Sequence, residues 1–189
     1  MQRRSLSKPC LILVMGVAAS GKSTLSRKIL QRIRAVYLDN NHIADAFFPN
    51  TRNGKKYKQL RPSFYNALYK IAEENLKCGN SVLLDVPHTK DVQTKEWPAL
   101  IKKLARRTNA TLVTIRCVCS EEVLHARISG RGELRDGWKL RHWKQFLAQE
   151  PIHVPVPFRH LDVDTERSLP HTVNTAIRYI KRHLTSCSS

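Results

Sequence analysis

Residues Gly16-Val17-Ala18-Ala19-Ser20-Gly21-Lys22-Ser23 spell G-x-x-x-x-G-K-[ST]. This arrangement wraps phosphates. Backbone N–H groups turn inward, a helix N-terminus adds positive potential, the lysine reaches the β- and γ-phosphates, and the hydroxyl ligates Mg²⁺. Gly16, Ala18, Ala19, Ser20, Gly21, Lys22, Ser23 and Thr24 are therefore candidate nucleotide-binding residues. Lys22 is also a candidate catalytic cation and Ser23 a metal ligand. A glycine turn before an ordinary helix could carry the same letters. Here, however, the loop follows the apolar run 11–15 and precedes Leu25, Ile29 and Ile33 at helical spacing. Strand, glycine loop and helix in that order are what phosphate binding requires.

Carboxylates recur where apolar runs end, and open α/β sheets bind ligands beyond the carboxyl ends of their strands. Asp85 closes Val82-Leu83-Leu84. It reads as an acid that holds Mg²⁺ through water or accepts from the Ser23 hydroxyl, with a turn-capping role as the alternative. Asp39, in Leu38-Asp39-Asn40-Asn41-His42, is the candidate to orient and deprotonate an acceptor hydroxyl. Its alternative is an Asx turn with Asn40 and Asn41. Asp45 is a second candidate base further along, and Asn41 either binds substrate or shapes the turn. Asp162 and Asp164 lie near the end of a fifth apolar run.

Arg127, Arg131 and Arg135 are spaced four apart and interleave with Gly130, Gly132 and Gly137. Phosphoryl transfer needs cations around the moving group and exclusion of water. An arginine-bearing, glycine-hinged lid over 130–138 would supply both; a solvated basic face is the alternative.

The elements that must position these groups alternate strand and helix, the pattern of an α/β fold with a mostly parallel sheet. Strands are expected over 10–15, 35–38, 81–85, 111–118 and 158–163. Helices are expected over 22–34, from Arg61-Pro62-Ser63 to a stop at Gly79, around Trp97 and Leu104, from a Ser120 cap to 129, around Leu140–147, and on a face carrying Val173 and Ile180. The stretch 50–60 reads as a basic loop, Pro151, Pro155 and Pro157 as a stiff connector, and 185–189 as a frayed tail.

A chain of 189 residues suits one domain. No apolar run has the length to span a membrane. The run after the basic start leads into the glycine loop, so it reads as a core strand and not a signal peptide. Five cysteines without Cys-x-x-Cys spacing read as thiols of a reducing, cytoplasmic compartment. The formal net charge is +18, from 33 Lys and Arg against 15 Asp and Glu. It attracts anionic substrates or polyanions, nucleic acid included, without specifying which.

Taken together, the glycine loop, Asp39, Asp85 and the arginine segment resemble P-loop kinases of the shikimate kinase, gluconate kinase and chloramphenicol phosphotransferase type. Zeta-toxin kinases and polynucleotide 5′-kinases are similar in plan. The resemblance runs from about residue 10 to 184. It implies a three-layer P-loop NTPase fold, with a five-stranded parallel sheet of order 2-3-1-4-5 between helices. It also implies ATP and Mg²⁺ as cofactors, Asp39 on the acceptor hydroxyl, Arg61 with Tyr65 as substrate-holding residues, and Thr165 in the adenine loop. Of the lid arginines, Arg127 and Arg131 are candidate catalytic cations, Arg127 is also a candidate nucleotide-binding residue, and Arg135 is a candidate substrate-binding residue. The chain departs from shikimate kinases at Asn41, where they carry a second Asp, and at Val86-Pro87-His88, where they carry three glycines. Motifs for gluconate are not visible.

The leading expectation is an ATP-dependent kinase acting on a small-molecule hydroxyl. Net charge and the acid-free series Arg52, Lys55, Lys56, Lys58, Arg61 raise a 5′-hydroxyl kinase of nucleic acid as the alternative. A GTPase switch is disfavoured. Asp85-Val86-Pro87-His88 lacks the glycine that a switch requires, and no Asn-Lys-x-Asp occurs.

Overall fold

The computed structural model describes residues 8–50, 52 and 54–185. The expected fraying of 185–189 falls outside them, apart from the backbone of Thr185. Five strands, β1 Cys10–Met15, β2 Val36–Asp39, β3 Val82–Asp85, β4 Thr111–Val118 and β5 His160–Asp164, form one sheet of order β2-β3-β1-β4-β5. Every pairing is parallel. This is the three-layer α/β architecture expected.

β1 is buried on both faces, as a central parallel strand must be. Its side chains alternate between two cores. Leu11, Leu13 and Met15 pack toward α3 (Lys55–Lys77) and α4 (Glu96–Arg107), meeting Leu68, Ala72 and Ile101. Cys10, Ile12 and Val14 pack toward α1 (Lys22–Leu30) and α8 (Leu169–Thr185), meeting Leu25, Ile29, Ala176 and Ile180. A smaller core of Val17, Leu124, Ile128 and Phe146 lies beneath α5 (Glu121–Gly130), α6 (Gly137–Arg141) and α7 (Trp143–Gln149). Among the described residues, no helix is long and apolar enough to cross a membrane.

Three local expectations are corrected. Helix α3 starts at Lys55 and not near Arg61, so Pro62 lies inside it and the stretch 50–60 is half helical. Proline removes one ladder hydrogen bond. Packing on either side of it outweighs that loss, because Tyr57 and Phe64 both bury against Phe48 and Ala44. An unexpected helix, α2 (Asn40–Phe47), fills the gap after β2. Asp39 caps it, accepting from the Asn41 N–H at 2.8 Å.

The 130–138 segment is largely folded. α5 runs through Gly130, a 3₁₀ turn covers Leu134–Asp136, and α6 starts at Gly137, leaving only residues 131–133 irregular. Leu140 and Trp143 belong to two short helices broken at His142.

Candidate active site

The phosphate loop is built on a contact that only glycine allows. Gly16 has φ +138°, and a Cβ there would lie 2.5 Å from the Cys117 carbonyl oxygen of β4. Its N–H donates to the Pro87 carbonyl at 3.1 Å, tying the loop to the end of β3. At the far end Gly21 (φ +89°) opens α1 without a side-chain cap or an acid in the first turn. The positive end of α1 therefore faces the cavity uncompensated. Ala18, Ala19, Gly21, Lys22, Ser23 and Thr24 line that cavity. Gly16 and the fully buried Ser20 do not; they shape the loop from behind. Lys22 folds over the loop, Nζ donating to the Val17 carbonyl at 2.9 Å.

Asp39 and Asp85 are partners in the β2–β3 register, so both carboxylates emerge side by side at the carboxyl edge of the sheet. Between them stands Tyr37, two residues before Asp39 and on the same strand face. Its hydroxyl donates to Asp85 Oδ2 at 2.8 Å and lies 3.2 Å from Asp39 Oδ2. Burial and the two acids push the Tyr37 phenol up. Asp85 is 1% exposed. Burial raises its carboxyl above the usual carboxylate range, although the Lys22 ammonium and the Tyr37 and Ser23 hydroxyls pull the other way. Among the described residues its buried Oδ1 has no hydrogen-bond partner, an orphan acceptor beside Ser23. Asp39 uses both oxygens on Asn41, as α2's cap, yet it also lines the cavity. The turn and the cavity-facing acid are one residue.

The three arginines of 127–135 all reach the cavity, each by a different tether. Arg127 donates to the Thr165 hydroxyl (2.9 Å) and carbonyl (2.8 Å), clasping the loop after β5. The Thr165 side chain in turn packs against Gly21, where a Cβ would lie 3.1 Å from Cγ2. Arg131 pairs with Asp136, which also accepts from Lys139. Those two cations hold the Asp136 carboxyl below the usual range despite its burial. Arg135 crosses to the opposite jaw, its NH1 donating to both oxygens of Asp45 at 2.6 and 2.8 Å.

Arg61 also lines the cavity, with its guanidinium over the Tyr65 ring at 4.3 Å. It donates to the Tyr65 hydroxyl at 3.0 Å and pairs with Asp91 at 3.2 Å. The buried His88 leans on the same Asp91 at 3.7 Å. Asn41 accepts from Arg52 at 2.7 Å. Asp162 is withdrawn to a structural pair with Arg116 of β4. Cys117 and Cys119 are buried thiols, the former pushed up to about 12 by burial. Among the described residues no group of three metal-ligating side chains occurs.

The cavity is about 1100 Å³, and ten lysines and arginines line it against three carboxylates, Asp39, Asp85 and Glu150. It is built for anions. Motif and spacing do not mark Tyr37 or Asp136 as site residues, and they mark Arg52 only as one member of a basic series. Tyr37 was findable from strand periodicity, two residues before a candidate acid. The other two depend on contacts across elements.

A protein family described as "AAA domain" matches residues 11–151. No curated protein matches the sequence. Among solved structures, a Chloroflexus aurantiacus protein provisionally described as a kinase superposes with a TM-score of 0.72 at 22% identity, over 92% of this chain and 99% of that one. Mycobacterium tuberculosis APS kinase, solved with AMPPNP and APS, gives 0.63 at 16% identity over 92% and 98%. A gluconokinase from Sinorhizobium meliloti gives 0.61 at 18% identity over 98% and 97%. These likenesses establish the P-loop kinase fold.

Proposed function

Because the chain belongs to this AAA domain family, we propose that it is an ATP-dependent phosphotransferase that moves the γ-phosphate to a hydroxyl of a small molecule. One observation carries the reading. The phosphate loop, the Asp39–Asp85 pair and the three lid arginines, drawn from separate parts of the chain, open into a single cation-rich cavity.

In this reading the loop N–H groups and Lys22 bind the β- and γ-phosphates, Lys22 exchanging the Val17 carbonyl for phosphate oxygen. Ser23 and the orphan Oδ1 of Asp85 fit a Mg²⁺ ion, directly or through water, which would neutralise charge on the phosphates. Asp39 accepts the acceptor's proton. Arg127 and Arg131 face the transferring group and exclude water. Thr165 flanks the adenine, and Asn41, Arg61 and Arg135 border the acceptor. The whole chain acts as one kinase domain, with 130–138 as its lid. Buried thiols and the missing Cys-x-x-Cys suit a cytoplasmic location.

The test is Mg-ATP binding by calorimetry with an acceptor screen read by ADP release. Binding abolished by Lys22→Ala, and transfer lost in Asp39→Asn with binding retained, is the expected pair. Unimpaired transfer in Asp39→Asn would sink the assignment of the base.

A second reading, a polynucleotide 5′-hydroxyl kinase, is favoured by exposed Lys55, Lys56 and Lys58 on α3, with Lys58 at the cavity wall. Labelling of a 5′-hydroxyl oligonucleotide at low salt would select it.

A further inference from the structure

Arg52 and Arg135 approach from opposite jaws of the cavity and converge on one carboxylate, Asp45 of α2. Arg52 follows α2, whereas Arg135 belongs to the 3₁₀ turn after α5. Both side chains are largely buried at 16% exposure, while Asp45 is 41% exposed. Both arginines line the cavity wall. Arg52 spends NH1 on Asn41 and NH2 on Asp45, and its Nε is buried without a hydrogen-bond partner among the described residues.

A surface ion pair has no need of two buried guanidiniums; both share Asp45, and Glu133 lies a further 3.7 Å from Arg135 Nε. Forked guanidiniums facing each other are the arrangement that receives a carboxylate or phosphate bidentately. Asp45 is also unsuited to take a proton, since Arg135 and Arg52 hold its carboxyl below the usual range.

We propose that Arg52 and Arg135 form an anion clamp for the acceptor, which therefore carries its own phosphate or carboxylate besides the hydroxyl. Asp45 occupies the clamp in the acceptor's place until the acceptor anion takes over the two guanidiniums. The proposal rests on the kinase reading and narrows its substrate class. It also gives the cation excess of the cavity a use beyond the nucleotide. The anion anchors one end of the acceptor between the jaws, and its hydroxyl is then presented toward Asp39, linked to Arg52 through Asn41.

The test uses full-length protein saturated with Mg-AMPPNP, so that the phosphate loop is filled, and titrated with inorganic phosphate. Asp45→Asn removes the competing charge and should tighten phosphate binding about 10-fold. Arg135→Gln and Arg52→Gln should each abolish it while AMPPNP affinity stays unchanged. Phosphate affinity unaltered or weakened in a folded Asp45→Asn protein overturns the clamp. So does phosphate binding that survives both arginine variants. Asp45→Ser, which removes the same charge with a smaller side chain, covers the case in which the asparagine variant misfolds. Failure of AMPPNP itself to bind would instead strike the kinase reading. Matched acceptors then separate the sources of the anion. A polyol monophosphate preferred over its free polyol supports a small metabolite, and a nucleoside 3′-monophosphate preferred over its nucleoside supports a nucleic-acid end. Equal turnover with and without the anion overturns the proposal.

Discussion

The two halves of the cavity are held together by different means. On the nucleotide side the geometry is set by backbone. Gly16 is pressed against β4, Pro87 accepts from the loop, and Asp39 and Asp85 are fixed by strand register. On the acceptor side the geometry is set by side-chain charge. Asp45 joins Arg52 to Arg135, Asp91 joins Arg61 to His88, and Asp136 joins Arg131 to Lys139. Backbone-built sites do not rearrange without unfolding their neighbours. Ion-paired ones exchange partners when a competing anion arrives. Under the proposed function, the half that binds the same phosphates every time is held by backbone, and the half that admits and releases an acceptor is latched by charge.

The sharpest way to test the contrast is to remove one cation from the rigid half. Lys22→Ala deletes the ammonium that the proposed function assigns to the β- and γ-phosphates, and turnover should fall about 1,000-fold. Thermal stability should stay near wild type, because among the described residues the Lys22 ammonium hydrogen-bonds to a loop carbonyl and to no element of the core. A large loss of Tm would mean that Lys22 is structural. Asp39→Asn comes next, with transfer down about 100-fold. Asparagine also caps helices well, so α2 and Mg-ATP affinity should survive. Circular dichroism and calorimetry on the same sample distinguish a lost base from a lost cap.

The charge-latched half breaks differently. Asp136→Asn leaves Arg131 and Lys139 facing a neutral amide that is 1% exposed, and should cost about 2 kcal/mol, or roughly 6 °C of Tm. The sign with pH follows from the lowered Asp136 carboxyl. Its contribution is fully present above the unfolded value near about 3.9 and is lost as pH falls through the lower folded value. The gap between wild type and variant in a denaturant melt should therefore close toward acid. A gap that widened would remove Asp136 from the charge network.

The same division governed what could be read from the sequence. The loop, the alternation of strand and helix and the acids at strand ends were legible because backbone rules leave local signatures: glycines at fixed spacing, apolar runs, an Asp at the end of β2, β3 and β5; the sheet order came from the family resemblance. The acceptor side was not legible. Pro62 marked a helix start by local rules, but Phe48 and Ala44 hold Tyr57 and Phe64 on both sides of it and carry the helix back to Lys55. The segment 130–138 looked like a glycine hinge, yet Arg131 and Lys139 close on Asp136 and fold most of it. Arginine pairs formed 90 residues apart, as Arg135 and Asp45 are, leave no local trace.

Tyr37 lies on the boundary, a side chain that holds two backbone-placed acids. Tyr37→Phe removes one hydroxyl from between two carboxylates. It should cost about 1 kcal/mol of stability and lower turnover about 10-fold through misplacement of Asp85 and Asp39. Mn²⁺ affinity, read by electron paramagnetic resonance, should weaken in the same variant. Unchanged Mn²⁺ affinity with reduced turnover would assign Tyr37 to Asp39 alone.

The smallest effect belongs to the outer face of α3. Lys55 and Lys56 are exposed, and neither lines the cavity. Replacing both with alanine should leave Mg-ATP binding and small-acceptor turnover within twofold, because exposed charges contribute little to a site beyond their screening length. An oligonucleotide acceptor would respond otherwise. Each lysine that neutralises a phosphate releases a counterion, so the slope of log affinity against log salt should flatten by about 1.4 for the pair on a single strand. The double variant thus decides whether the positive field ends at the cavity mouth or continues along α3. A flattened slope extends the charge-latched half onto the surface as a polyanion track. An unchanged slope confines it to Arg52, Arg61 and Arg135 and leaves the acceptor a small molecule.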